Sequence, residues 1–148
     1  MNDRKTHRVI RLFCAITITA ALTLLYRHTP PQTPQSAEIR LTTAEAREGW
    51  LNLCGWAVTP VSESPMRIPT VWNTEIGQRW LMLQGKQGLS PEDHAGEAAT
   101  RYCYHIENIA AEGMTADAWY AELVLCGDLL VGAQVYCAAS PDSIQSVR

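Results

Sequence analysis

An α+β domain, two helices packed on a small antiparallel sheet of about three strands and preceded by an N-terminal transmembrane helix, is the fold class this sequence predicts. Three observations point to it. An uncharged apolar run of 15 residues follows a basic start in a chain of 148 residues. Helical spacing dominates from residue 42 to 88 and strand alternation from 98 to 137, and elements segregated in this way give two layers. Apolar residues make up 47% of the chain, a globular share that excludes wholesale disorder. The length leaves room for one domain, which excludes a multidomain enzyme, a large α/β barrel and a polytopic transporter.

The predicted plan runs in five parts: a cytoplasmic basic head over 1–11, a signal anchor over 12–26, a Pro-rich stalk over 27–41, an extracytoplasmic α+β domain over 42–140 and a tail over 141–148. Residues 1–28 hold Arg4, Lys5, Arg8, Arg11 and Arg27 against Asp3 alone, whereas the remainder is acidic. An acidic body argues against a nucleic-acid partner, because that affinity rests on neutralising phosphates. The run from Leu12 to Tyr26 covers about 22 Å as a helix. That is short for a hydrocarbon core of ~30 Å, but Val9 and Ile10 lengthen it and the flanking arginines can snorkel. A cleaved signal peptide needs small residues after its apolar core. Here the core ends in Leu24-Leu25-Tyr26-Arg27-His28, so an uncleaved anchor is the better reading. Basic residues precede the span, which puts the N-terminus in the cytoplasm and the body outside the cell membrane. Cys14 opens the apolar run and reads as a small filler, not a lipid attachment point. Three prolines between Thr29 and Ser36 favour an extended spacer.

In the body, Thr42 and Glu45 have the spacing of a capping box, and Ala46, Trp50, Leu53 and Cys54 form an apolar stripe. A helix is predicted over 43–54, ended by Gly55. The stretch from Ala57 to Met66 contains Pro60 and Pro65 and reads as irregular chain or a short edge strand. Trp72, Ile76, Trp80 and Leu83 share a face of a second helix that Gly88 ends. From Ala98 to Ile109 the pattern alternates: Tyr102, Tyr104 and Ile106 on one side, Arg101, Cys103, His105 and Glu107 on the other. Two more strands flank Cys126-Gly127-Asp128. A three-residue loop there matches their apolar faces and a two-residue Gly-Asp turn does not, so the longer loop is predicted. The segment after Ser140 reads as frayed.

Ile68-Pro69, Leu83-Gln84-Gly85-Lys86-Gln87-Gly88, Ala95-Gly96 and Arg101-Tyr102-Cys103-Tyr104-His105-Ile106-Glu107-Asn108 occur in that order. Ala121–Cys126 and Leu130–Val135 follow them. Together they resemble the bacterial domain-of-unknown-function family 4830 over about residues 42–137. The resemblance implies a short membrane-tethered protein and carries no activity. The chain departs from the family pattern at His94, Glu122 and Ala133-Gln134.

No motif for catalysis stands out. Asp93, His94 and Glu97 lie close together, but Cys-x-x-Cys, His-x-x-x-His and an acidic calcium loop are all missing, so no metal and no cofactor is expected. Cys54, Cys103, Cys126 and Cys137 can pair in three ways. Cys126 and Cys137 end one strand, too far apart to join. Cys54–Cys137 and Cys103–Cys126 stay open, and four free thiols acting as apolar fillers are slightly preferred. Gly-x-Ser-x-Gly, Ser-x-x-Lys and a phosphate loop are also missing. The expected function is a non-enzymatic, tethered binding module for a protein or cell-envelope partner, with Arg101, His105 and Glu107 as its contact surface. The alternative is an enzyme or enzyme accessory with a site near His94 and Glu97.

Overall fold

The computed structural model describes residues 38–109 and 119–148. The basic head, the anchor over 12–26 and most of the stalk lie outside the described residues. Among the described residues no helix is long and apolar enough to cross a membrane. The same residues form two α-helices, a 3-10 turn and five strands. In chain order these are α1 (Ala44–Leu53), β1 (Val58–Arg67), α2 (Glu75–Lys86), the 3-10 turn (Pro91–His94), β2 (Ala98–Ile106), β3 (Trp119–Cys126), β4 (Leu129–Cys137) and β5 (Ser140–Gln145). The expected sheet of three strands is thus corrected to five, joined antiparallel in the order β1-β2-β3-β4-β5. The transmembrane helix of the expected fold class has no counterpart among the described residues.

Both added strands are edge strands that hydropathy alone conceals. β1 carries Pro60 and Pro65 and shifts register between Pro60 and Ser62. Proline and bulges suit an edge, where a missing N–H costs no ladder bond and discourages pairing with other chains. β5 replaces the expected frayed tail over 141–148. The chain after it is tied down: Trp56 Nε1 donates to the Val147 carbonyl at 2.8 Å, and Val147 N donates to Gln87 Oε1 at 2.9 Å. Val147 itself is buried.

The helix phases also differ from the simple apolar stripe. The N-cap of α1 is Thr43, whose hydroxyl accepts from Ala46 N at 3.2 Å. The buried residue of α1 is Leu51, whereas Leu53 is 89% exposed. The inward row is Arg47, Trp50, Leu51 and Cys54, spaced as one helical face. Arg47 belongs to it because its guanidinium lies 3.8 Å over the Tyr102 ring and its Nε donates to Tyr104 Oη at 3.1 Å. α2 starts after the N-cap Thr74, so Trp72 precedes the helix, yet its ring stacks on Trp80 at 5.3 Å. Ile76 is exposed, and the one fully buried residue of α2 is polar, Gln84, 0% exposed.

Gln84 has a structural task. β5 pairs with β4 at Val135 and Cys137, leaving Ala133 beyond that pairing. Gln84 Oε1 accepts from Ala133 N at 2.8 Å and Gln87 Nε2 donates to the Ala133 carbonyl at 2.8 Å. Two glutamines thereby complete the free edge of β4, as buried backbone groups require.

The β3–β4 connection is the two-residue turn Gly127-Asp128, with Cys126 opposite Leu129 and Gly127 at φ 61°. The expected three-residue loop is corrected. The faces still match because the register shifts at Val124/Leu125, which leaves Val131 as an extra residue. A bulge restores in the strand what the turn length would have inverted. Leu123, Leu125, Leu130, Ala133 and Val135 then share one core with Leu51, Tyr104 and Ile106, while Val124 and Val131 join Ile68 and Ala99 in a second.

Candidate functional site

The second face of the sheet changes character along the strands. Its first cross-strand row is Thr59, His105, Tyr120 and Tyr136; the next is Ser62, Cys103, Glu122 and Gln134; the third is Ser64, Arg101, Val124 and Gly132. The α2 helix covers the apolar end, where an ideal Cβ on Gly132 would stand 2.7 Å from the Trp80 ring. Glycine there lets the indole lie directly on the strand.

The rows beyond the reach of α2 form an aromatic and polar patch. His105 meets Tyr120 edge-on at 5.7 Å, and Tyr120 stacks with Tyr136 at 5.6 Å, both favoured ring geometries. Tyr136 Oη and Cys103 Sγ are 3.6 Å apart. Burial, then the Cys103 thiol, pushes the Tyr136 phenol above its ordinary range, so it stays protonated at neutral pH. Beside it, Glu122 is only 14% exposed at its side chain. Gln134 Nε2 donates to Glu122 Oε1 at 3.2 Å, and Arg101 Nε stands 3.9 Å from Glu122 Oε2. Arg101 also donates to Ser64 Oγ at 3.3 Å. Burial raises the Glu122 carboxyl above its usual range despite Arg101 and Gln134, which act the other way. Gln134 Oε1 is buried and has no hydrogen-bond partner among the described residues.

The three residues expected as a contact surface thus fall on one face. Arg101 and His105 lie within the patch. Glu107 lies just beyond β2, where its carboxylate accepts from the Thr59 hydroxyl. Alternation along β2 placed them correctly, but it could not supply Glu122, Gln134, Tyr120 and Tyr136 from two other strands. The signal for Glu122 was present, a single carboxylate inside an apolar strand. Its partners depended on register.

His94 and Glu97 do come together. His94 ends the 3-10 turn, and its Nδ1 stands 3.1 Å from Glu97 Oε2. Cys126, at the far end of β3, joins them: one ligand atom from each of the three lies within 4.8 Å of the others. The set gathers a nitrogen, an oxygen and a sulfur donor that local spacing does not reveal, because the third comes from a distant strand. Burial, then the Glu97 carboxylate, pushes the Cys126 thiol up, which disfavours it as a free nucleophile. The four described cysteines, Cys54, Cys103, Cys126 and Cys137, are free thiols.

No protein-family model, curated protein or solved structure matches the chain.

Proposed function

We propose that the chain is a membrane-tethered extracytoplasmic binding domain without catalytic activity, and that the half of the second sheet face beyond α2 receives a protein or cell-envelope partner. The tether is the apolar run over 12–26, and the likeness to family 4830 is part of the same proposal and adds no activity. The observation that carries the reading is the acceptor pair of Glu122 and Gln134, set between Arg101 and two stacked tyrosines, with Gln134 Oε1 buried and without a hydrogen-bond partner among the described residues. A buried acceptor gains most from an incoming donor, because leaving it unmade costs about 1–3 kcal/mol. Aromatic walls add contact area at small entropic cost.

The test is photocrosslinking in intact membranes. A photoreactive residue at His105 is expected to capture a discrete partner, and the Arg101→Glu change is expected to abolish that capture. The same probe at Leu53, exposed on α1, serves as the control. Capture from Leu53 alone, or capture from His105 that ignores Arg101→Glu, overturns the assignment of this face.

A further inference from the structure

We infer that His94, Glu97 and Cys126 form a binding site for a zinc-class divalent cation, independent of the docking face proposed above. The ligand atoms lie within 4.8 Å of one another, and His94 Nδ1 and Glu97 Oε2 are 3.1 Å apart. A tetrahedral zinc ion with its usual bond lengths separates its ligand atoms by about 3.3–3.7 Å. Side-chain adjustments of about an ångström bring the three groups to that spacing. Nitrogen, sulfur and carboxylate oxygen are the donor set of zinc and its neighbours, not of magnesium or calcium, which take oxygen alone.

The backbone holds the donors in place. The segment from His94 to Glu97 is pinned on both sides of Gly96: Gly96 N donates to the Ile68 carbonyl at 2.9 Å, and Ile68 N donates to the Glu97 carbonyl at 3.0 Å. Gly96 has φ 81°, and Arg67 Nη1 binds its carbonyl at 2.6 Å. Cys126 is fixed by pairing with Leu129 and packs against the second core, to which Ile68 also belongs. The half-exposed Glu97 side chain, at 54%, is free to adjust around an ion, and His94 at 24% leaves a path from solvent. Three protein donors leave a fourth position for water. Coordination requires the Cys126 thiolate, so its proton passes to solvent when the ion binds. The bound ion would clamp the 3-10 turn and the segment after it to the end of β3.

Cobalt(II) and zinc titrations of the full chain, with thiols kept reduced, test this. Cobalt is expected to bind one ion per chain at this site, giving a sulfur-to-cobalt charge-transfer band and tetrahedral visible absorption. Zinc is expected to displace it and to raise the thermal midpoint, as any ligand selective for the folded state does. Cys126→Ser is expected to abolish the charge-transfer band, and His94→Ala and Glu97→Gln to weaken binding at least about tenfold. Circular dichroism checks that each variant folds, and Cys54→Ala is expected to retain the band. A band that survives Cys126→Ser in a folded chain, or no cobalt binding by the folded wild type, overturns the site.

Discussion

The two faces of the sheet are covered in opposite ways. On the first, α1, Leu41 and the chain end at Val147 close over a continuous apolar layer in which Leu51, Ile106, Leu123, Leu125 and Val135 are all buried. On the second, the stacked pair Trp72 and Trp80 covers the end near Gly132, and among the described helices neither lies across the rows from Arg101 to Tyr136. The difference follows from where α2 is held. Gln84 and Gln87 commit it to the free edge of β4, so it cannot also lie across β2 and β3. One helix serves the core and the other serves an edge. Beyond the reach of α2, a carboxylate and an amide occupy the middle of that sheet face.

The largest break in this comparison is expected on the closed face. Leu51→Ala removes a fully buried side chain from this layer, and it should cost about 2–5 kcal/mol in urea unfolding. A loss no larger than that of an exposed position such as Leu53 would mean that α1 does not close this layer. Next comes the covered end of the second face. Gly132→Ala sets a methyl group 2.7 and 2.9 Å from two atoms of the Trp80 ring, and overpacking of this kind costs about 1–3 kcal/mol. Pairing it with Trp80→Phe in a double-mutant cycle should recover part of the loss; strict additivity would show that the indole does not rest on this strand.

The smallest effect is expected in the rows beyond α2. Burial raises the Glu122 carboxyl above the ordinary 4.5, so the folded chain holds that proton more tightly than the unfolded one. Its contribution to stability is then complete below pH 4.5 and is lost as the pH rises through the raised value. Glu122→Gln should match the wild type in acid and exceed it at neutral pH, which flattens the pH dependence of unfolding across that window. Equal slopes for both proteins would indicate that Glu122 is fully solvated, and this face would lose its buried acceptor.

The fold was legible in part. Alternation along β2, β3 and β4 placed Arg101, His105 and Glu107 on the face away from Tyr102, Tyr104 and Ile106, because period-two patterning records which side meets the core. The prolines of β1 left it open between irregular chain and a short edge strand, where a ten-residue edge strand forms, since edge strands are defined by the neighbour they pair with, not by their own hydropathy. Arg47 and Gln84 turned the inward faces of both helices away from the simplest apolar stripe. Each is polar in sequence, and each is buried or half-buried because a tyrosine ring or a strand edge awaits it.

The sequence by itself determined the local elements: a first helix starting within a residue of Thr42, a turn at Gly127, and the apolar runs of β3 and β4. These depend on neighbours within a few residues, whose chemistry is printed in the chain. Only the tertiary structure decided the two-residue turn with its compensating bulge, the gathering of Glu122 with Gln134 and Arg101, and the meeting of Cys126 with His94 and Glu97. The physical reason is register. A shift of one residue in an antiparallel pair moves a side chain to the opposite face, so residues from different strands share a site only once the pairing is set.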